Sequence, residues 1–173
     1  MTSYSPLDLA IVLVAAGGST RMGFPKLWTE IHGYPLLAYA IAAAIAAAPA
    51  ELIVVVAPER LAATTALLTS SRTAALAQTP AHGGTAASSC RGRADAPARD
   101  AALPLPVPRV VPGGARRRDS VAAGLAASSA PWLAIHDAAR ALAPPDLFAI
   151  GLAAAQPSGA AIPGLPLKDT IKR

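Results

Sequence analysis

An α/β fold, an open twisted sheet of mostly parallel strands with helices on both faces, is predicted by three features of the sequence. Apolar runs at Leu9–Ala15 and at residues 51–57 are rich in β-branched side chains, which is typical of strands buried on both faces. Helical patterns follow these runs, at residues 35–48 and at residues 58–70. Strand and helix therefore alternate, and right-handed connections between them give a parallel sheet.

The second half of the chain continues this alternation. In order, we expect a strand at residues 109–111, a helix at 121–128, a strand at 131–135 that runs on into His136 and Asp137, a helix after Pro144, Pro145 and Asp146, and a last strand at 159–162. The length of 173 residues suits a single domain, 1–173.

A low-complexity segment interrupts the alternation at about residues 72–107. It is rich in Ala, Pro, Gly, Ser and Arg and has almost no large apolar residues, so it cannot bury enough surface to offset its ordering entropy. We expect a disordered surface insertion. His82, Cys90 and Asp95 lie in it, and a metal site made of these three is disfavoured because their neighbours offer no rigid scaffold.

The charge distribution favours small anionic ligands. The net charge is +5, but the 15 Lys and Arg residues are mostly scattered. No basic stripe interleaved with aromatic residues is present, so nucleic acid is not an expected partner.

Cysteine usage and apolar run length bear on the compartment. Cys90 is the only cysteine, which excludes an internal disulfide and a cysteine-based metal cluster and favours a reducing compartment. The apolar runs are too short to cross a bilayer, and no basic region precedes the first one. We expect a cytoplasmic protein without a membrane partner.

The stretch from Ile11 to Lys26, IVLVAAGGSTRMGFPK, predicts a phosphate-binding loop after the first strand. Backbone N–H groups of Ala16, Gly17 and Gly18 can approach an anion closely, and Arg21 and Lys26 can neutralise its charge. Neither G-x-G-x-x-G nor G-x-x-x-x-G-K-[ST] is present. The alternative is an ordinary strand-to-helix turn with solvated surface charges.

A second glycine pair, Gly113 and Gly114, follows the strand at 109–111. It would let the backbone approach a flat ligand, and Ser120 could hydrogen-bond a base or sugar. The alternative is a Gly-Gly turn with three solvated arginines, and with Asp119 or Ser120 as the helix N-cap.

Asp137 is the candidate metal ligand. It lies at the carboxyl end of a predicted parallel strand, where open α/β sheets bind ligands, and Mg²⁺ needs only one or two carboxylates in addition to substrate phosphates. We expect His136 to be a packed or hydrogen-bonded neighbour. Arg140 could meet a second anionic substrate or form a salt bridge with Asp137.

Four motifs carry a resemblance to known enzymes. AAGGSTRMGFPK resembles the signature loop of the sugar nucleotidyltransferase superfamily. Together with GGARRRDSVAAGL, HDAARALAPPDLF and PLKDTIKR, it resembles the 2-C-methyl-D-erythritol 4-phosphate cytidylyltransferase family of the non-mevalonate isoprenoid pathway, over residues 9–70 and 107–173. This resemblance implies a Rossmann-like fold of the nucleotide-diphospho-sugar transferase type.

The resemblance also implies a reaction and a set of site residues. Enzymes of this family join CTP to 2-C-methyl-D-erythritol 4-phosphate, giving 4-diphosphocytidyl-2-C-methyl-D-erythritol and pyrophosphate. They use Mg²⁺ as cofactor and form homodimers. The implied residues are Arg21 and Lys26 for catalysis, Ala15, Ala16, Gly17, Gly18, Gly113, Gly114 and Ser120 for the nucleotide, Asp137 for the metal, and Arg140, Thr170 and Lys172 for the second substrate.

Some features depart from that family. GFPKL resembles the molybdenum cofactor cytidylyltransferase branch equally. Ala115 occupies a position often held by an acid or a small residue in the family, so we do not expect a ribose contact from its side chain. Family members continue beyond the position of Arg173 with a dimerising arm, a second metal-binding aspartate and another lysine. We therefore expect little or no transferase activity from this chain alone, and a homodimer is in doubt.

Other functions stay open on these residues. A molybdenum cofactor or polyol-phosphate cytidylyltransferase would share the first loop. A truncated, noncatalytic nucleotide-binding remnant, or a structural α/β domain whose loops match by coincidence, belongs to a different class.

Overall fold

The computed structural model describes residues 8–18, 23–69 and 106–165. Its centre is a four-stranded parallel sheet in the order β5-β4-β1-β6, and a two-stranded antiparallel hairpin, β2-β3, lies beside it. The strands are β1 Leu9–Ala15, β2 Glu30–Ile31, β3 Tyr34–Pro35, β4 Glu51–Val56, β5 Arg109–Pro112 and β6 Trp132–Asp137.

Four α-helices connect or follow the strands of the sheet. They are α1 Leu36–Ala46, α2 Leu61–Thr69, α3 Arg117–Ala126 and α4 Asp146–Ala155, and short 3-10 turns lie at Lys26–Trp28 and Pro58–Arg60. Strand and helix alternate as the sequence predicts, and the predicted Rossmann-like α/β class is confirmed.

The sheet is buried between two apolar layers. Ile11 and Leu13 of β1 lie with α1, α2 and α4 on one face, whereas Val12 and the β4 residues Ile53 and Val55 lie on the other face, against α3. Both central strands are almost completely buried, which explains their unbroken apolar sequences.

Two predicted elements differ from the structure. The helix expected to begin at Val121 begins at Arg117, because the backbone N–H of Arg116 donates to Asp119 Oδ2 (3.1 Å) and stabilises an earlier first turn. Neither Asp119 nor Ser120 is therefore the N-cap. The strand expected at residues 159–162 is absent: Ile162 is 92% exposed, and no described strand lies beside it to complete a ladder.

Most of the predicted insertion, residues 72–105, lies outside the described residues. Within the described ranges, no helix combines the length and the apolar character that a membrane crossing requires.

Candidate functional site

A cleft of about 480 Å³ opens at the carboxyl ends of β1, β5 and β6. Three segments form its walls: the loop after β1, the loop between β5 and α3, and the turn after β6. Since the strands are parallel, their carboxyl ends meet at one edge of the sheet, and this edge is where open α/β sheets bind ligands.

The loop after β1 brings both backbone and cationic groups to the cleft. Ala16, Gly17 and Gly18 line it directly, and no described atom lies within 4 Å of the position that a Cβ on Gly17 would take. Lys26 reaches the same cleft from the 3-10 turn Lys26–Trp28. The neighbouring Leu27 is only 7% exposed and anchors that turn in the core.

The loop after β5 lies against the first loop at Gly113. A Cβ on Gly113 would stand 2.5 Å from Ala16 Cβ and 2.7 Å from Ser120 Oγ, so only glycine permits this approach. The Gly113 N–H donates to Val56 O at 2.7 Å and continues the sheet ladder past the end of β5. Gly113 therefore sets the distance between the two loops.

Ser120 is buried, 2% exposed, in the first turn of α3. Its Oγ accepts a hydrogen bond from the Gly114 N–H (3.2 Å), and its hydroxyl group donates one to the carbonyl oxygen of Arg116 (3.3 Å). The hydroxyl thus fixes the shape of the second loop, and Ser120 also lines the cleft.

Asp137 ends β6 at the opposite wall, and two arginines hold its carboxylate. Arg117 donates to Asp137 Oδ1 from both Nη2 (2.8 Å) and Nε (3.2 Å). Arg140 Nε lies 3.8 Å from Asp137 Oδ2. The salt bridge between Arg140 and Asp137 that the sequence left open is therefore formed, and the shorter contact comes from Arg117.

The cleft carries an excess of positive charge. Of its described lining residues, four are cationic, Lys26, Arg116, Arg117 and Arg140, and one is a carboxylate, Asp137. Lys26 and Arg116 form no ion pair with any residue that the structure describes. Such a surplus attracts anions, and arginine forks match the geometry of phosphate oxygens.

His136 is a structural neighbour of the site, as the sequence predicts. Its Nε2 lies 3.1 Å from the carbonyl oxygen of Arg140, and its ring packs edge-on against Phe148 with 5.3 Å between centroids. These two contacts hold the turn that carries Arg140. Within the described ranges, no group of three or more His, Cys, Asp or Glu side chains is placed to hold a metal ion.

The structure brings most of the predicted site residues together. Ala15 ends β1, and Gly113 lies between the two loops. Arg21, Thr170 and Lys172 lie outside the described residues, and their roles stay predictions. The predicted residues that line the cleft are Ala16, Gly17, Gly18, Lys26, Gly114, Ser120, Asp137 and Arg140.

Sequence reasoning did not assign Arg116 and Arg117 to the site. It considered the three arginines before Asp119 only as solvated charges. With the helix begun at Arg117, helical spacing singles out this residue, because it stands three residues before Ser120 and so shares its face of α3.

Two family profiles match the chain. Residues 92–173 match the family described as 2-C-methyl-D-erythritol 4-phosphate cytidylyltransferase, and residues 11–110 match the family described as MobA-like NTP transferase domain. The two matches together span the first loop, the second loop and the turn with Asp137.

Curated proteins with related sequences carry names from the first of these families. The chain is 39% identical over 170 residues to the bifunctional enzyme IspD/IspF of Clavibacter michiganensis. The aligned region covers 95% of this chain and 35% of that protein. It is 34% identical over 171 residues to the 2-C-methyl-D-erythritol 4-phosphate cytidylyltransferase of Nocardia farcinica, covering 95% of this chain and 59% of that protein. The chain therefore spans only part of the length of these relatives.

A solved structure shares the fold. The 4-diphosphocytidyl-2C-methyl-D-erythritol synthase from Anaerococcus prevotii superposes with a TM-score of 0.57 at 17% identity, covering 86% of this chain and 51% of that one. At this identity the likeness concerns the fold alone.

Proposed function

Because the chain belongs to the MobA-like NTP transferase family, and its residues 92–173 match the 2-C-methyl-D-erythritol 4-phosphate cytidylyltransferase family, we propose that its cleft binds CTP for cytidylyl transfer to 2-C-methyl-D-erythritol 4-phosphate. A phosphate oxygen of this substrate attacks the α-phosphorus of CTP while the bond to the bridging oxygen breaks and pyrophosphate leaves. The observation that supports this most directly is the meeting of the glycine loop, Lys26 and Asp137 around one cationic cleft.

The first loop is proposed to hold the triphosphate. Gly17 and Gly18 offer backbone next to Lys26, whose ammonium group has no carboxylate partner in the described ranges. Fixed positive charge around the phosphates stabilises the charge that builds up on the leaving group, and no protein base is needed. The family resemblance gives Arg21 the same role.

The second loop is proposed to bind the base and ribose. Ala16 and Gly113 approach each other so closely that the two loops form a narrow wall, which suits a flat ring. Ser120 fixes Gly114 in this wall and lines the cleft, so its hydroxyl can contact the base or the ribose. Ala15, at the end of β1, belongs to the same wall on the family resemblance.

Asp137 is proposed as the protein ligand of Mg²⁺. Its side chain is 34% exposed at the cleft, and an oxygen ligand suits this hard cation. A single carboxylate fits an ion held mainly by phosphate oxygens and water, rather than by a protein cage. When bound, the ion would neutralise charge on the phosphates. The carboxylate must first exchange its contacts with Arg117 and Arg140.

Arg140 is proposed to bind the phosphate of the second substrate, together with Thr170 and Lys172. Its side chain is 73% exposed, and its contact with Asp137 is long, so it can turn to another anion at small cost. A cytoplasmic location is part of the same proposal and rests on the single cysteine and the short apolar runs.

CTP binding is the first test, measured by calorimetry on the whole 173-residue chain. Lys26→Gln is expected to weaken binding about ten- to a hundredfold, the value of a charged hydrogen bond. Arg118→Gln is the matched control, because Arg118 pairs with Asp119 and does not line the cleft. Absence of CTP binding to the wild-type chain would overturn the proposal.

Turnover is the second test. Release of pyrophosphate from CTP and Mg²⁺ would be followed with 2-C-methyl-D-erythritol 4-phosphate, other polyol phosphates and the molybdenum cofactor as separate acceptors. We expect little or no release, and any release to be fastest with the first acceptor. CTP binding without release from any acceptor would support a nucleotide-binding remnant, whereas release at an ordinary enzymatic rate would contradict the expected low activity.

A further inference from the structure

The carboxylate proposed to bind the metal is already occupied by side chains of the same protein. Arg117 places two N–H groups on Asp137 Oδ1, at 2.8 Å from Nη2 and 3.2 Å from Nε. Arg140 makes the longer contact, 3.8 Å, with Oδ2. A divalent cation that binds Asp137 must therefore compete with Arg117 for an oxygen atom and for the negative charge.

Arg117 is free to leave this contact. Its side chain is 63% exposed and extends from the first turn of α3, so it can change rotamer without moving the helix. An exposed ion pair is worth little, since water and salt screen it. A stronger acceptor in the same cleft would take the guanidinium away.

A polyphosphate is such an acceptor. It presents several oxygens and more than one negative charge, and arginine binds phosphate in a bidentate fashion. Arg117 lines the same cleft as Lys26 and Gly18, where the triphosphate is proposed to lie. Moving Arg117 from Asp137 to a phosphate would satisfy the guanidinium and free the carboxylate in one step.

We propose that Arg117 is a positioning residue that occupies Asp137 until a polyphosphate draws it away, so that a divalent cation alone binds weakly and binds well only with the nucleotide. This inference rests on the proposed function, since it takes the cleft to be a phosphate and metal site. By thermodynamic linkage, the nucleotide strengthens cation binding by the same factor as the cation strengthens nucleotide binding.

The first arm of the test uses Mn²⁺ alone, without nucleotide, as the probe. Free Mn²⁺ is titrated by electron paramagnetic resonance against the whole chain. Arg117→Gln is expected to tighten Mn²⁺ binding about two- to fivefold, the usual range for release of an exposed ion pair. Loss of a merely structural residue would not raise metal affinity, and a thermal melt checks that the variant is folded.

Two further variants make this arm decisive. Arg116→Gln removes the same charge from the same cleft but no side chain that contacts Asp137 in the described structure, so it is expected to tighten Mn²⁺ binding less than Arg117→Gln. Asp137→Asn is expected to abolish the response to Arg117→Gln. The inference is overturned if Arg117→Gln leaves the affinity unchanged or lowers it, if Arg116→Gln has an equal effect, or if the response survives Asp137→Asn.

The second arm measures CTP binding in the presence of a chelator, without any divalent cation. Arg117→Gln is expected to weaken CTP binding, because the phosphates lose one cationic partner. If the wild-type chain binds no CTP, the proposed function fails while the Mn²⁺ arm still reports on the competition at Asp137. If CTP binds equally well to wild type and Arg117→Gln, the inference fails and the proposed function stands.

Discussion

Glu51 begins β4 at the end of the sheet opposite the cleft, and the loop after α3 holds its carboxylate. Glu51 Oε1 accepts hydrogen bonds from the Ser129 hydroxyl (2.7 Å) and the Ser129 N–H (3.1 Å). The hydrogen bond from the Ser129 hydroxyl is the main reason why the pKa of Glu51 lies below its ordinary value of 4.5. Burial of the carboxyl group acts in the opposite direction and raises the pKa. Glu51 thereby ties the start of β4 to the segment that leads into β6.

Glu51→Gln is expected to make the unfolding free energy less dependent on pH. A lowered pKa in the folded state contributes stability above the ordinary value of 4.5 and loses that contribution as the pH falls through the folded pKa. The variant should therefore be less stable than wild type near neutral pH, by about 1 kcal/mol, and the gap should close in acid. Urea unfolding between about pH 3 and pH 7 measures this gap.

The control for that experiment is Glu59→Gln, which removes an exposed carboxylate in the first turn before α2. It is expected to change the unfolding free energy by less than about 0.5 kcal/mol. A gap for Glu51→Gln that stays constant, or widens, toward low pH would contradict the expectation.

At the level of single residues, sequence reasoning worked where a side chain ends a strand or belongs to the loop that follows one. The cleft placement of Lys26 and Asp137 was predicted because the glycine loop follows β1 and Asp137 ends β6. Arg117 was missed because its role depends on which way α3 presents its first turn, and that direction depends on the start of the helix. Local sequence leaves that start uncertain by a turn.

At the level of elements, the contact between α3 and the sheet depends on one glycine. A Cβ on Gly124 would stand 2.3 Å from Val12 Cγ1 and 3.0 Å from Val55 Cγ2. Side chains in the middle of two buried strands cannot shift without disturbing the core. Gly124 therefore lets α3 lie close enough to place its first turn at the cleft.

Gly124→Ala is expected to destabilise the protein by about 1 to 3 kcal/mol through overpacking, although alanine favours helices by about 1 kcal/mol over glycine. Gly151→Ala in α4 is the matched control: its new Cβ would meet no described atom within 4 Å, so it should stabilise by about 0.5 to 1 kcal/mol. Chemical denaturation compares the two. Equal effects of the two substitutions would show that helix propensity, and not packing against the sheet, determines the change in unfolding free energy.

The elements that the sequence predicted well are those whose signal is local. Apolar β-branched runs define β1 and β4, and prolines flank α1. The expected strand at residues 159–162 was wrong because a strand depends on a partner, and Ala160 and Ala161 carry no large side chain to bury against one. The β2-β3 hairpin, two residues in each strand, is too short to leave a periodic signal.

At the level of the whole molecule, the site is a consequence of parallel strand order. β1 lies between β4 and β6, so residues more than a hundred positions apart in the chain, such as Lys26 and Asp137, reach one cleft. The alternation of strand and helix predicts this convergence in general terms. It does not predict which strand lies at the edge, because the order depends on contacts between distant segments.

In the described part of the chain, β6 is an edge strand whose outer face is apolar. Leu133 and Ile135 pair with Ala10 and Val12, and thus lie on the face that α3 covers over β1 and β4. They are themselves 40% and 46% exposed, because α3 does not extend over β6. Adjacent apolar side chains on an edge strand promote self-association and bind apolar dyes.

The double substitution Leu133→Thr and Ile135→Thr is expected to lower binding of an apolar fluorescent dye and to raise the concentration at which the chain self-associates, as measured by sedimentation. Threonine keeps the β-branched shape that strands favour, so β6 should persist. Leu142→Thr is the control, since Leu142 is 94% exposed in a turn and is not part of this strand. If dye binding falls equally for the control, the exposed face of β6 is not the apolar surface that drives association.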